Sequence, residues 1–560
     1  MSSFTRRQFL RIISAGSGLS YLSSCKSEPS ITRHFDIPGK IVNANPVQGH
    51  LLRRDYRASD FPTAAEASFD AVVVGGGISG LCAAWKLVQA GLERILLLEQ
   101  GDQLGGTSIS GFANGTPFPW GAHYINTPPS EADCIYEVLE SLGIIQGYDQ
   151  RGWPRIDPQY LLRWPHERLF LDSDWIEDLD PFASSSNREL EILRRFEDDM
   201  LRWTLYRDRL GRRAFAMPLH YSSRDAAVRQ LDEITLADYL RDKGLHSAQL
   251  EWLANYACRD DYGCRFDQVS AWAGIHYFAC RFYDRRVSHE FPTDTLTWAE
   301  GNAFLARRLA EHLGKDRYRT GSLVLRLENQ PDGVRIGYAD LQNGTLHGLH
   351  CRTLIYAAKL HTAPHVIAEL PQAQSQSMGA LEYSPWLVAA IQVSRRPRES
   401  SVPLAWDNVI FASQSTGYLV ADHQNPDARP QDPSVLVYYL PFVDEVSKAR
   451  RELLERKHGY WVDRIMRDLL RVHPDLEDIV QCIDLYRWGH AMVQPTPGTL
   501  WGRESRWRGT PFEAIFFAGC DVTGLPLFEE ACFAGLRAAE QSLNFLGVEF
   551  KTSLKGLSDV

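Results

Sequence analysis

Phe69-Asp70-Ala71-Val72-Val73-Val74-Gly75-Gly76-Gly77-Ile78-Ser79-Gly80 joins an apolar run to a glycine turn. The run is β-branched and too short for a helix, so it reads as a buried parallel strand, with a helix from Ile78 to about residue 90. Gly75, Gly77 and Gly80 have the G-x-G-x-x-G spacing. Gly75 permits the tight turn, Gly77 lets the backbone approach a pyrophosphate, and Gly80 allows close helix packing. The N–H groups at Ile78 and Ser79 would face the negative phosphates. A second apolar run, 94–99, ends in Glu99 and Gln100. It completes a βαβ unit in which Glu99 would accept hydrogen bonds from an adenosine ribose.

Working outward, the chain has 560 residues, of which 44% are hydrophobic and 23% charged. That balance fits a soluble multidomain protein and excludes disordered, collagen-like and polytopic membrane classes. Sixty Lys and Arg against 70 Asp and Glu give a net charge of −10, so nucleic acid is not an expected partner. The cysteines are scattered without zinc or disulfide spacing, so no metal site is expected and the thiols read as reduced and packed.

Residues 130–300 look mostly helical, with charged and aromatic residues alternating over 187–206 and 235–256. Three short strands follow at 322–327, 334–340 and 345–351. They are separated by Pro331-Asp332-Gly333 and Asn343-Gly344 and form a β-meander. A separate buried strand is expected at 353–358, strands mixed with loops over 380–490, and a terminal strand and helix over 515–545.

After Glu99 come Leu104-Gly105-Gly106-Thr107 and Trp120-Gly121-Ala122-His123. Further along are Glu300-Gly301-Asn302, the strand around Val324, and Phe517-Ala518-Gly519 running to Gly535-Leu536-Arg537-Ala538-Ala539. In this order the segments resemble the flavin-dependent amine oxidase superfamily, which includes protoporphyrinogen oxidases and phytoene desaturases. The resemblance spans roughly residues 68–545. It implies an α/β fold: a Rossmann-type FAD-binding domain with a β-meander and an inserted α+β substrate domain. The FAD domain would be assembled from 67–150, 296–380 and 506–548, and the substrate domain from 151–295, its helical part, and 381–505. Residues 25–66 would be a tether and an arm lying on the folded body, and 549–560 a tail.

Carried over by position, Gly75, Gly77 and Gly80 would hold the FAD pyrophosphate and Glu99 the ribose. Gly105 and Gly106 would let the backbone pass phosphates and flavin, and the backbone of Val324 would meet the adenine. Gly121, Ala122 and His123 would lie along the cofactor. Asp521 would bond the ribityl or phosphate region, and the backbone around Glu530, Ala531 and Cys532 would face the flavin. The sequence also departs from the pattern. Thr107 stands where many members have a phosphate-clamping Arg, Cys520 intervenes between Gly519 and Asp521, and Glu530 replaces a usual Gly. Amine oxidases proper carry a Lys near the flavin on a strand corresponding to 386–393, and no Lys occurs from 360 to 447.

The catalytic candidates are Trp488 and His490 in Tyr486-Arg487-Trp488-Gly489-His490, and His276 and Tyr277 in the central region beside Asp260-Asp261-Tyr262. Trp488 would line the substrate face of the flavin, and His276 or Tyr277 could steer or deprotonate a substrate. A helical aromatic stripe serves equally as core. No second dinucleotide fingerprint is visible, so the electrons are expected from a small organic substrate, most simply an amine, with dioxygen or a quinone as acceptor. The alternatives are a desaturase or isomerase for an apolar lipid, and a non-catalytic flavin-binding envelope protein.

At the N-terminus, Thr5-Arg6-Arg7-Gln8-Phe9-Leu10-Arg11 precedes a weakly apolar stretch, 12–24, too short for the ~20 residues that span a bilayer. Residues 1–24 resemble a twin-arginine signal peptide, and Leu22-Ser23-Ser24-Cys25 resembles a lipobox. The expectation is export to the periplasmic side of a bacterial envelope, with membrane contact only through a lipidated Cys25.

Overall fold

A computed structural model describes residues 34–42, 46–62, 67–150, 152–280, 294–399 and 402–554. The expected signal segment, Cys25 and the end of the tail lie outside them. Fourteen strands build two large sheets. In chain order they are β1 (Ser68–Val74), β2 (Ile95–Leu98), β3 (Glu167–Leu171), β4 (Asp174–Glu177), β5 (Tyr318–Arg319), β6 (Ser322–Gln330) and β7 (Gly333–Asp340). The series continues with β8 (Leu346–Tyr356), β9 (Tyr383–Val393), β10 (Asp407–Ile410), β11 (Gly417–Val420), β12 (Ser434–Pro441), β13 (Val480–Val493) and β14 (Ile515–Phe517).

The first sheet runs β5-β2-β1-β8-β7-β6, with β14 also on β8. β1, β2, β5, β8 and β14 are parallel, as a Rossmann core requires. The expected strands at 345–351 and 353–358 are one strand, β8. Its first half pairs antiparallel with β7, ending at Val334↔Cys351. Its second half pairs parallel with β14 from Leu354↔Ile515, while β1 runs along its other edge. The polar Arg352-Thr353 step marks a change of partner, and Thr353 Oγ1 is satisfied by Asp70 O and Ser542 Oγ.

Helix α1 (Ile78–Gln89) follows β1, and five further helices matter here: α2 (Asn187–Leu205), α3 (Ala248–Tyr262), α4 (Ala271–Ala279), α5 (Val446–Glu455) and α6 (Phe528–Leu546). α1 and α6 pack together in one core with the apolar residues of 132–145. The 130–300 region is not helical throughout. It also holds strands Tyr124–Asn126 and Thr295–Thr297 paired at its borders, a hairpin of Ile145–Tyr148 with Pro154–Ile156, and the β3–β4 hairpin. Asp172 and Ser173 both take positive φ in the β3–β4 turn, the geometry a tight hairpin needs without the usual glycine signal.

The second sheet runs β13-β9-β12-β11-β10-β3-β4. β9 is buried on both faces. Leu387, Ala389, Ile391 and Val393 face a core with α5 and helix His458–Leu469, and Trp386, Val388 and Ala390 face the opposite way. Those two helices replace the strands and loops expected between 446 and 469, since 458–469 is strongly amphipathic at helical period. Among the described residues, no helix is long and apolar enough to cross a membrane.

Candidate active site: an FAD cleft with an aromatic, acid-bearing end

A cleft of about 1560 Å³ runs from the glycine turn of β1 to the inner face of the second sheet. It gathers Gly75, Gly77, Ile78, Ser79, Glu99, Gln100, Gly105, Gly106, Thr107, Gly121, Ala122, His123, Val324, Gly519, Asp521, Ala531, Trp488 and His490 on one surface. Gly80 is not on that surface. A Cβ there would lie 1.9 Å from Gly75 O, so its role is the close approach of helix to turn.

The cradle suits a dinucleotide. The N-cap of α1 is Gly77, extended and without a side-chain cap, which leaves first-turn N–H groups to the cleft. Ser79 Oγ is occupied by Gly519 N at 2.8 Å, tying the phosphate end of the cradle to the terminal motif. The Glu99 carboxylate accepts from Gly76 N and Gly101 N, each at 2.6 Å. Burial pushes its pKa up against the pull of those two N–H groups. A ribose hydroxyl would therefore meet an acceptor already fixed in orientation.

Asp521 is placed differently from expectation. Its Oδ2 accepts from Leu360 N at 3.0 Å and Tyr383 OH at 2.6 Å, and Oδ1 faces Lys359 Nζ at 3.8 Å. It buttresses the loop after β8 as well as bordering the cleft. Glu530, expected to offer its backbone to the flavin, stands behind the cleft surface. Its side chain is fully buried, accepts from Leu219 N and does not line the cleft, although Glu529 and Ala531 do. Burial raises its pKa to about 7.

His276 and Tyr277 are also corrected. His276 is wholly buried on α4, stacked on Trp272 at 5.0 Å and facing Phe215. Tyr277 packs against the same core, and neither reaches the cleft. A helix this apolar buries nearly its whole circumference, Tyr277 alone being partly exposed, so the aromatic stripe is core.

Trp488 and His490 do reach it. Trp488 Nε1 donates to Trp120 O at 2.7 Å, and its ring lies 4.4 Å from Tyr486, itself 5.5 Å from Trp120. This aromatic wall continues into His123, 4.9 Å from Tyr439 and 5.2 Å from Tyr124. Tyr124 OH lies 3.4 Å from Asp260 Oδ2, and Asp260 and Asp261 both line the cleft from the end of α3. Trp386 and Val388 enter from β9, which carries no Lys. His490 stacks on His361 at 4.5 Å. Burial, then neighbouring cations, lowers His490 to about 3 and His361 to about 4, so both are neutral imidazoles near neutral pH.

Lys359 and His361 went unrecognised in the sequence. They follow the C-terminal end of β8, the crevice of a parallel sheet where ligands bind, and that position was the available signal.

The family model for flavin containing amine oxidoreductase matches residues 78–543. The chain belongs to this family. A protein of Mycobacterium tuberculosis named as a flavin-containing monoamine oxidase is 26% identical over 84% of this chain and 96% of its own length. The fold is that of putrescine oxidase solved with putrescine, at TM-score 0.63 and 16% identity over 85% of this chain and 99% of that one. Cyclohexylamine oxidase from Brevibacterium oxydans is similar at TM-score 0.60 and 17% identity, covering 86% and 99%. The protein is thus an FAD-dependent oxidoreductase of amine oxidase type, and the glycine turn, Glu99 and Gly519 line the one cleft described above.

Proposed function

We propose that this oxidoreductase acts on an organic amine, with dioxygen or a quinone as final acceptor. The observation that carries the reading is that Asp260 and Asp261 share the cleft wall with Tyr124, Tyr439 and Trp386, with Tyr124 OH 3.4 Å from Asp260 Oδ2. Carboxylates attract an ammonium group and aromatic faces hold it in a desolvated pocket, a combination that an apolar lipid does not need. The amine-oxidase names of its relatives point the same way. FAD, when bound, supplies the hydride acceptor. The chain's own task is to align the donor carbon, which Trp488, fixed by its bond to Trp120 O, supports by walling one side, and to exclude water.

A second reading, desaturation or isomerisation of an apolar lipid, draws on the absence of Lys from β9 and on the aromatic lining. A fatty acid isomerase shares the fold at TM-score 0.56. Anaerobic mixing separates the two. Flavin bleaching by amines, and not by isoprenoids, unsaturated fatty acids or NADH, is the expected result. Asp260→Asn should raise KM for the amine about tenfold or more with kcat less affected, on the scale of a charge-assisted contact. Bleaching by lipids alone would transfer the assignment to the second reading.

We further propose export by the twin-arginine route and anchoring through Cys25. The support is Arg6-Arg7 and Leu22-Ser23-Ser24-Cys25, and a route that carries folded proteins suits a chain that must fold around FAD. Changing Arg6 and Arg7 together to Lys should leave precursor in the cytoplasm, and Cys25→Ser should free the protein from membranes.

A further inference from the structure

The segment before β1 is fastened to both banks of the cleft. On the second sheet's bank, Ile483 N donates to Pro38 O, Leu485 N to Lys40 O and Val42 N to Leu485 O, at 2.8–2.9 Å. Lys40 N is held by Asp484. On the first sheet's bank, Phe61 is buried over Gly337 of β7, and Arg335 donates to Ala58 O and Pro62 O. Between these anchors, Gln48, His50, Leu52 and Arg53 line the cleft. Leu52 packs with the cluster of Val74, Leu98, Val324 and Ala358, at the C-terminal ends of the parallel strands. Arg53 beside it lines the same cleft as the glycine turn.

The charge of that crevice is unbalanced. A pyrophosphate brings negative charge, and a helix N-terminus offsets only about half an elementary charge. The described cleft lining from β1 to Asn126 contributes Glu99 and Asp102 and no Lys or Arg, with Thr107 on the turn itself. Of the cations that reach the cleft from elsewhere, Lys359 faces Asp521 and donates to Ala491 O. Arg450 donates to Gly489 O and Tyr383 O, and Arg487 to the carbonyls of Leu453 and Leu454. Arg451 stands on α5, which packs on β9 and β13. Arg53 is exposed and makes no hydrogen bond or ion pair with the described residues, yet its charge is felt at His490.

We propose that this N-terminal strap is part of the FAD site: it closes the cleft from outside, and Arg53 supplies the counter-charge to the cofactor's phosphates. The inference rests on FAD occupying the cleft and adds a segment that precedes the dinucleotide fold altogether.

The test uses the full-length protein emptied of flavin and titrated with FAD, ADP and adenosine, followed by tryptophan fluorescence. Arg53→Ala should weaken FAD and ADP about tenfold, leave adenosine unchanged, and lose the difference at high salt. Arg53→Lys should restore part of the affinity. Arg54→Ala, exposed and outside the cleft lining, should behave as wild type. In the wild type, FAD should slow tryptic cleavage after Arg53 and Arg54. Equal weakening of ADP and adenosine, or unchanged ADP affinity, would overturn the role of Arg53, and a cleavage rate indifferent to FAD would overturn closure. Wild-type protein that bound neither FAD nor ADP would instead overturn the cofactor assignment beneath it.

Discussion

Glu99 serves the loop as well as any ribose it would hold. Both of its oxygens hold backbone N–H groups, from Gly76 and Gly101, so its removal would strand two donors beside the glycine turn. Each stranded donor costs about 1–3 kcal/mol if it stays dry. Glu99→Ala should therefore lower the melting temperature of the flavin-free protein as well as weaken FAD at least tenfold. Loss of FAD affinity with an unchanged apoprotein melting temperature would mean that water replaces the carboxylate, leaving only the ribose contact. The place of Glu99 against the glycine turn was legible because strand, turn and helix bracket it in sequence. Glu530 and His276 were not placed from the sequence because tertiary partners set which way they face: Leu219 N holds the Glu530 carboxylate, and Phe215 from a distant loop closes over His276 beside Trp272, one turn away on α4. Asp260 was named from its neighbourhood, but its meeting with Tyr124 spans 136 residues and no local pattern encodes it.

At the scale of elements, the terminal helix fixes the phosphate end of the cleft. A Cβ on Gly535 of α6 would lie 2.1 Å from Ser79 O and 3.2 Å from Ala83 N, so α6 rests directly on the first turns of α1. Gly535→Ala should push the helices apart at the turn whose N–H groups open onto the cleft. The expected cost is about 1–3 kcal/mol of stability, with FAD retention falling more than an equal destabilisation elsewhere would cause. Asn544→Ala, on the exposed side of the same helix, is the control, and calorimetry with flavin release on dilution reads both. Elements with local punctuation were readable: β1, α1, β2, the two meander turns and α6. Those defined by pairing were not. β8 hides a change of neighbour at Cys351, and the β3–β4 hairpin turns on Asp172 and Ser173 where glycine would have announced it.

Across the whole molecule, burial sets two opposed groups of titrating side chains. His220, His361 and His423 are lowered to about 4 and His473 and His490 to about 3, in each case first by desolvation. Below their ordinary value of 6.5 the unfolded chain takes up protons that the native state refuses, so these groups remove stability as pH falls from about 6.5 toward 4. Glu530 and Asp178 are raised to about 7 and Asp232 to about 6, again by desolvation. The native state keeps those protons after the unfolded chain has lost them, so these groups remove stability as pH rises from the ordinary carboxylate range to about 7. Burial also lowers His166 and raises Glu99 and Asp180, so six lowered histidines face five raised carboxyls, and between about pH 4.5 and 6.5 stability should climb gently with pH. Above that window the histidines are neutral in both states and the climb should end. Each unbalanced proton is worth about 1.4 kcal/mol per pH unit, so a net difference of one or two moves the melting temperature by several degrees. His361 and His490 line the cleft, where bound phosphates would favour their protonated forms and raise their pKa toward the unfolded value. The FAD-loaded protein should thus lose less melting temperature than the apoprotein between pH 6.5 and 5. Melting curves of both forms across that range decide it: parallel slopes would place the phosphates away from the histidine pair, and a melting temperature that rose on acidification would contradict the burial of the histidines.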